Sequence, residues 1–475
     1  MTPARLRGST RRSVTDLMDL PARPAPEVAE LAGRFPAGFT WGVATSAYQI
    51  EGAVDDDGRG RSIWDTFSHE PGRVENGENG DVASDHYHHL AEDLDLLSRL
   101  GVPAYRFSVS WPRVLPVGVG AANEAGLAFY DRLVDGLLER QIRPMLTLYH
   151  WDLPQALQDR GGWTNPDIAE WFADYAGLLA SRFGDRVTDW LTLNEPQVFA
   201  FTGNAHGVHA PGLRDWPTAL RVADAALRAH AAAVSRIRAS APSARIGAAI
   251  NVNVVDPASD SVADREAAAR HSALNHGWFL DPLFGRGYPA LAMEAHAAAG
   301  HLDDLELAPP PAGDLDFLGL NYYTREVIAS DPSALFGITG APEAGVERTT
   351  MGWEVNPDGL RRVLLRLYGE YAPREIMVTE NGAAFAEPEP DANGQVADDQ
   401  RQRFLERHVS ATADAMAEGV PVSGFYVWSL LDNFEWAKGY GQRFGIVHVD
   451  YTTLRRTLKG SGEWYASLVR TARGS

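Results

Sequence analysis

Apolar and polar residues follow a repeating pattern along this chain, in which a short apolar run precedes a longer segment with helical periodicity. The apolar runs have the length of strands, and the segments between them place apolar residues three and four positions apart. The predicted strands cover residues 39–45, 104–108, 144–149, 189–194, 245–251, 317–322, 376–380 and 422–428. The predicted helices cover residues 85–100, 124–140, 166–182, 217–239, 262–281, 357–371, 399–418 and 461–472.

The order of these elements predicts the fold. Strands that are apolar almost throughout are typical of a parallel sheet with both faces covered. Eight strand–helix cycles of this kind favour an α/β fold with a single (β/α)8 TIM barrel and long loops after the strands. Because no linker or shift in composition divides residues 34–475, we expect them to form one domain.

The first 33 residues do not share the pattern. They are rich in arginine and proline and lack a strong apolar period, so we expect a disordered tail. Arg11 and Arg12 are similar to the start of a twin-arginine export signal, but Asp16 and Asp19 stand where such a signal has its apolar segment. We therefore expect a cytoplasmic protein.

Composition narrows the range of functions. The chain has 475 residues, of which 45% are hydrophobic and 22% charged, as in ordinary globular proteins. A formal net charge of −20 opposes binding to nucleic acid or to an anionic membrane. The chain has no cysteine, which excludes disulfides, thiolate chemistry and cysteine-ligated metals. No apolar run has the length of a transmembrane helix.

Polar and aromatic residues stand at the end of most predicted strands. The catalytic groups of a TIM barrel lie at the carboxyl ends of its strands, so these residues should meet around one pocket. They are Gln49, Arg106, His150, Trp151, Asn194, Glu195, Asn251, Asn253, Asn321, Tyr323, Glu380, Asn381 and Trp428. Amides, carboxylates and imidazole bind hydroxyl groups, and flat indoles suit the C–H faces of a pyranose. The pattern therefore predicts a sugar-binding pocket.

Two of these residues are glutamates that end apolar strands. Glu195 precedes a proline, which disfavours helix at that position, and Glu380 precedes Asn381 and Gly382, where we expect a turn. Either glutamate alone would more often be a surface acid. Together they provide the pair of carboxylates that glycoside hydrolysis requires, one as proton donor and one as nucleophile.

With these motifs in place, the chain from about Phe35 to its C-terminus resembles glycoside hydrolase family 1, the β-glucosidase family. The resemblance is carried by FTWGVATSAYQIEGA (39–53), YRFSVSWPRVLP (105–116), LYHWDLPQAL (148–157), TLNEP (192–196), NYYT (321–324), GWEVNPDGL (352–360), VTENG (378–382) and WSLLDNFEWAKGYGQRFGIVHVDY (428–451). It implies a (β/α)8 barrel that hydrolyses small β-glycosides with retention and without a metal or other cofactor.

The resemblance also implies residue roles. Glu195 would be the acid/base and Glu380 the nucleophile, with Arg106 and Tyr323 supporting Glu380 and Asn194 contacting the sugar 2-hydroxyl. The remaining implied substrate contacts are Gln49, His150, Trp151, Asn321, Trp428, Glu435 and Trp436, with Phe444 behind them and Trp353 and Trp163 on the leaving-group side. The family's closely related phosphoglycosidases replace the Glu-Trp pair, which is intact here as Glu435-Trp436, so Lys438 is weak support for a phosphate site.

Several alternatives remain open. The group Asp85, His86, His88 and His89 is similar to a metal site, but it opens a helix where we expect Asp85 to be the N-cap, and residues 86 and 88 do not share a helix face. His206 and His209 more simply shape their loop. A metal- or phosphate-dependent barrel enzyme would need a cluster of His, Asp or Glu ligands, or a glycine-rich phosphate turn after strands seven and eight. A sugar-binding barrel without activity would lack Glu195 or Glu380. Glucose, galactose and fucose are not distinguished, and the oligomeric state stays open.

Overall fold

The computed structural model describes residues 26–392 and 394–474, and at its centre eight parallel strands form a closed barrel. In chain order they are β1 (Thr40–Ala44), β2 (Ala104–Ser108), β3 (Arg143–Tyr149), β4 (Asp189–Asn194), β5 (Arg245–Asn251), β6 (Phe317–Asn321), β7 (Ile376–Asn381) and β8 (Val422–Trp428). Each strand pairs with its neighbours in the chain, and β1 pairs with β8, from Thr40 opposite Gly424 to Ala44 opposite Trp428. The predicted (β/α)8 fold is confirmed.

The strand bounds agree closely with the apolar runs. β2, β4, β5 and β8 have the predicted bounds, and the other four differ by one residue at one or both ends. The helices of the outer ring are His86–Leu100, Glu124–Glu139, Ile168–Phe183, Trp216–Ser240, Val262–Ser272 with Trp278–Leu283, Pro357–Tyr371, Asp399–Ala417 and Gly460–Arg473. Further short helices are Pro26–Ala32, Ala47–Ile50, Ile63–Ser68, Trp111–Val114, Gln155–Gln158 and Ala290–Ala298, and five short strands in the loops are Val254–Pro257, Arg325–Ser330, Ile338–Gly340, Val447–Val449 and Arg456–Leu458.

The helix predicted for residues 262–281 is interrupted. Its middle, Ala273–Gly277, is a π-helical turn. There the Asn275 side chain donates to the backbone carbonyl of His271 at 3.1 Å, a bond that competes with the regular backbone ladder. Apolar periodicity does not report such a local side-chain bond, so the pattern gave one continuous helix.

The N-terminal boundary also differs from the prediction. Residues Pro26–Ala32 form a helix that packs against the C-terminal helix Gly460–Arg473 and buries Val28 and Leu31. The prediction of a disordered tail is therefore wrong for residues 26–33. The three-residue spacing of Val28 and Leu31 was too short a signal to stand out. The rest of that prediction, for residues 1–25, lies outside the described residues.

Two glycines allow close approach between neighbouring strands of the barrel, below the site. Gly42 of β1 leaves room for the Tyr426 ring, because a Cβ atom there would lie 2.3 Å from a ring carbon. Gly382 serves a similar purpose at the other end: a Cβ atom would lie 1.6 Å from the carbonyl oxygen of Trp428. The expected turn glycine is thus a close-approach glycine that brings the end of β7 against the end of β8.

Candidate active site

A cavity of about 220 Å³ lies at the carboxyl ends of the barrel strands. Most of the predicted site residues line it, namely His150, Trp151, Asn194, Glu195, Tyr323, Trp353, Glu380, Trp428, Glu435, Trp436 and Phe444. A larger groove of about 640 Å³ lies outside the barrel and is lined mainly by alanine and leucine, without the glutamate pair. We therefore place the chemistry in the smaller cavity.

Glu380, the last but one residue of β7, has partners that favour its anion. Arg106 donates to Oε1 at 2.7 Å and the Tyr323 hydroxyl donates to Oε2 at 2.5 Å. Burial raises the pKa of Glu380, and the Arg106 charge and the Tyr323 hydrogen bond oppose that rise. These two donors equip Glu380 to carry a negative charge in a buried place.

Glu195 follows β4 and has a different environment. Its backbone has φ of 47°, in the left-handed region, and its N–H donates to the Ala249 carbonyl at 2.8 Å. Its Oε1 accepts from the amides of Asn321 at 2.8 Å and Asn251 at 3.1 Å. Burial, followed by the nearby charge of Glu380, raises the pKa of Glu195 to about 8. Glu195 therefore holds a proton at neutral pH.

Asn194 connects the two glutamates. Its Oδ1 accepts from Arg106 at 2.6 Å and from Asn321 at 3.0 Å, and those two donors also bond Glu380 and Glu195 respectively. Its Nδ2 donates to His150 Nε2 at 3.1 Å. Both glutamates are thus held in one network of hydrogen bonds from β2, β4, β6 and β7.

His150 is left with one free nitrogen. Burial, with a smaller effect of the Arg106 charge, lowers the pKa of His150 well below its usual value, so the ring is neutral. Because Nε2 accepts from Asn194, the proton sits on Nδ1, which is buried and has no partner among the described residues. His150 thus has one buried N–H without a partner in the described part of the chain.

Aromatic rings form much of the cavity wall. Trp428 stacks on His150 with a ring separation of 5.6 Å, and Trp436 contacts Trp151 at 4.5 Å. The Trp151 N–H is already used, since it donates to the Asn194 carbonyl at 2.8 Å. Trp353 contacts Tyr323 at 5.3 Å on another part of the wall. The indoles therefore offer flat apolar surfaces, as the face of a sugar ring requires.

Glu435 is a third buried carboxyl group in the cavity. Burial, with the charges of Glu380 and Glu195, raises the pKa of Glu435 to about 8. Gln49 donates to Glu435 Oε2 at 3.3 Å and to Asn433 Oδ1 at 3.0 Å. Gln49 thus orients Glu435 from behind.

Not every predicted residue contacts the cavity. Three predicted residues are not part of its lining, namely Gln49, Arg106 and Asn321. Each donates a hydrogen bond to a glutamate that does line the cavity. Trp163 is also absent from this lining: its N–H donates to the Tyr149 hydroxyl at 3.2 Å, and it lines a separate cavity, so its place on the leaving-group side stays a prediction. Asn251 lines the cavity, as expected from its position at a strand end, and the residues of the lining that were not expected there are Val198, Val208, His209, Met351, Ala437 and Lys438.

The charged alternatives have local partners. Lys438 forms an ion pair with Glu75 at 2.5 Å. The ammonium group that could bind a phosphate is therefore already paired with a carboxylate. Asp85 is at the N-cap position but makes no capping bond, because its carboxylate bonds His88 Nδ1 at 2.6 Å instead, while His86 bonds Asp93 at 2.7 Å. These histidines therefore do not converge on one point. In the described part of the chain, no helix is both long and apolar enough to cross a membrane.

Comparison with known proteins agrees with this geometry. The family model for glycosyl hydrolase family 1 matches residues 31–473. Beta-glucosidase A of Thermotoga maritima is 47% identical over 441 residues, which cover 92% of this chain and 98% of that protein. A 1,4-beta-D-glucan glucohydrolase of Thermotoga neapolitana is 46% identical, with the same 92% and 98% coverage. A solved structure of the Thermotoga maritima beta-glucosidase in complex with deoxynojirimycin has a TM-score of 0.88 and 47% identity, covering 92% of this chain and 99% of that one. The chain belongs to glycosyl hydrolase family 1.

Proposed function

We propose that this glycoside hydrolase is a retaining β-glucosidase. Its substrates would be terminal, non-reducing β-D-glucosyl residues of cello-oligosaccharides or of aryl and alkyl β-glucosides. The observation that carries the proposal is the unequal environment of two carboxyl groups on one cavity. Arg106 and Tyr323 stabilise the anion of Glu380. Glu195 accepts only from amide donors, and its pKa is raised to about 8.

In the first step Glu380 attacks the anomeric carbon while Glu195 gives its proton to the departing oxygen. The bond to the leaving group breaks as the bond from Glu380 to carbon forms, which gives a glycosyl-enzyme. Glu380 is then an ester without charge, so one cause of the raised pKa of Glu195 is gone. Glu195 can now accept a proton from water, which attacks the same carbon and releases Glu380.

The remaining residues bind the sugar. His150 would contact a sugar hydroxyl, Glu435 would accept from the C4 and C6 hydroxyls, and Trp428 and Trp436 would cover the ring. Asn194 is held by Arg106 and His150, and would meet the 2-hydroxyl. A hydrogen-bonded hydroxyl site of this kind rejects sugars that leave its polar groups unpaired.

A metal-free assay on an aryl β-glucoside, with and without a chelator, tests the reaction class. A retaining enzyme, whose two carboxyl groups stand about 5–5.5 Å apart, should keep its full activity with chelator. It should release the β-anomer first, which proton NMR of the product detects. Release of the α-anomer first would refute retention, loss of activity with chelator would favour the metal-dependent reading, and no activity on any β-glycoside would favour a sugar-binding barrel.

Sugar preference and location need their own tests. A broader β-galactosidase or β-fucosidase of the same mechanism is the second candidate, and a panel of aryl β-glycosides would rank the three sugars. We also propose a cytoplasmic location, supported by a chain without cysteine, which suits a reducing compartment. Activity found in the periplasmic or secreted fraction of the source cells would refute it.

A further inference from the structure

A buried cluster of ionisable side chains lies between the loops that follow β7 and β8 and the start of the C-terminal helix. Its members are Glu387, Asp398, Arg401, Asp432, Arg443, His448 and Lys459. Three carboxylates balance three cations, with His448 as an additional group. The reaction proposed above uses none of these residues.

Lys459 is the centre of this cluster. Its side chain is fully buried, and its ammonium donates to Glu387 Oε1 at 2.6 Å and to Asp432 Oδ1 at 2.8 Å. Ligand atoms of Glu387, Asp432 and His448 lie within 4.8 Å of one another, a spacing that a metal ion could use. Lys459 already occupies the point between the two carboxylates, and Arg401 bonds the second oxygen of Glu387 at 2.9 Å. The cluster is therefore complete with an ammonium group and needs no metal.

One side of the cluster leads to the sugar-binding residues. Asp432 holds the loop after β8, since its Oδ1 also accepts from the Gly445 N–H at 3.0 Å. The next residue, Asn433, accepts from Gln49 at 3.0 Å, and Gln49 also donates to Glu435 at 3.3 Å. A short series of contacts thus connects Lys459 with the carboxyl group that faces the sugar.

The other side leads to the nucleophile. Glu387 bonds Arg401, and Arg401 donates to the carbonyl of Ala383 at 3.1 Å, three residues beyond Glu380. Arg401 also donates to the carbonyl of Arg443 at 2.6 Å, directly before Phe444 on the cavity wall. Lys459 therefore joins the loop that begins just beyond the nucleophile, after β7, to the loop after β8 that carries the sugar-binding carboxyl.

We propose that Lys459 is a positioning residue for sugar recognition, which holds Glu435 at a fixed place relative to Glu380 by bonding Asp432 and Glu387 at once. The proposal rests on the proposed function, in which Glu435 accepts from the C4 and C6 hydroxyls. Without the ammonium, Asp432 and Glu387 lose the charge between them and repel each other. The loop after β8 then shifts, and the hydroxyl contacts weaken more than the reaction at the anomeric carbon does.

The test is Lys459→Met, which keeps most of the unbranched side chain and removes its charge. We compare kcat/KM for an aryl β-glucoside and for the aryl β-xyloside, which lacks the C6 hydroxymethyl group. The preference for glucoside over xyloside should fall at least about tenfold, because the interaction through Glu435 is the one that weakens. In a Glu435→Gln background the same substitution should cause no further loss of preference.

A matched control is Asp189→Asn. Asp189 is also a buried carboxylate, paired with Arg143 at 3.1 Å, but it lies at the amino end of β4, far along the barrel from the cavity. This variant should lower Tm without changing the glucoside-to-xyloside preference. If Lys459→Met is not recovered folded, Glu387→Gln removes one partner of Lys459 and should shift the preference in the same direction, by less.

A folded Lys459→Met or Glu387→Gln protein with the wild-type preference overturns the inference. So does an equal loss for both substrates, which indicates general destabilisation. These outcomes differ from failure of the proposed function, where the wild-type protein itself would hydrolyse neither substrate.

Discussion

Replacing Glu195 with glutamine should make the folded protein more stable, by an amount that grows with pH. The pKa of Glu195 is about 8 in the folded protein and 4.5 for an unperturbed carboxyl group. Between these two values the folded state keeps a proton that the unfolded state releases, so stability is lost as pH rises from 4.5 to 8 and is level above. Each pH unit in this window costs about 1.4 kcal/mol. Glutamine cannot ionise, so the variant avoids about 1 kcal/mol at pH 5 and about 3 kcal/mol at pH 7.

The structure is suited to this substitution. Glu195 Oε1 accepts from Asn321 and Asn251, and the carbonyl oxygen of glutamine can accept the same two bonds. Because Glu195 is already protonated at pH 7, glutamine does not change the charge that Glu380 experiences. The gain in stability therefore isolates the protonation of one group.

The assay is urea unfolding of the wild type and of Glu195→Gln at pH 5, 6 and 7, with activity lost in the variant throughout. The difference in unfolding free energy should increase by about 2.5 kcal/mol from pH 5 to pH 7. Glu380→Gln is the contrasting variant: it leaves Arg106 buried without its carboxylate partner and should destabilise by about 3–5 kcal/mol. A stability difference for Glu195→Gln that is the same at pH 5 and pH 7 would refute the raised pKa.

Further outcomes follow from the same site. The kcat/KM of the wild type on an aryl β-glucoside should fall as pH rises through about 8, where Glu195 loses its proton, and full activity at pH 10 would contradict this. Glu195→Ala should reduce the rate on alkyl glucosides by ~10²–10⁴-fold and the rate on nitrophenyl glucosides by less. When azide is added, this variant should form a β-glycosyl azide, whereas Glu380→Gly should form the α-glycosyl azide. Exchanged anomers would reverse the two roles. The 6-phosphate of an aryl β-glucoside should be a poorer substrate than the free glucoside, since the proposed site has the buried carboxyl of Glu435 at that position and Lys438 is paired with Glu75. A preference for the phosphate in kcat/KM would contradict this proposal. Deletion of residues 1–25 should leave Tm nearly unchanged, whereas deletion of 1–33 should lower it by several degrees because Val28 and Leu31 are buried, and equal melting temperatures would show that the N-terminal helix contributes nothing.

The barrel was predictable because its signal is local and repeated. Every strand of a parallel barrel is buried on both faces, so each one reads as an apolar run that ends where the polar groups begin. Glu195 and Glu380 were placed by that rule alone, and both line the cavity. The helix at residues 26–32 was missed because it has barely two turns and few apolar positions.

What failed to follow from the sequence depends on contacts between distant residues. The ring of Trp163 stacks on Phe199 with ring centroids 5.2 Å apart and lines a cavity other than that of the glutamates, which the sequence does not reveal. Lys459 bonds Glu387, which lies 72 positions earlier in the chain, and Asp432, which lies 27 positions earlier. Nothing in the local sequence pattern around these residues indicates that they form a cluster. The sequence also does not reveal which side chains at strand ends line the cavity and which support a neighbour. Asn321, which bonds Glu195, is an example of the second kind.

Arg106 has a consequence for how the enzyme could be divided. It comes from β2, yet it bonds Thr147 on β3, Asn194 on β4, and both the Thr379 carbonyl and Glu380 on β7. A chain cut in the connection between β4 and β5, at residues 241–244, would leave Arg106 and Glu195 on one fragment and Glu380 on the other. Neither fragment could hold a charged nucleophile in place, so hydrolysis would begin only when the two halves close into one barrel. The pair of fragments would then report, through a coloured product, whatever brings them together.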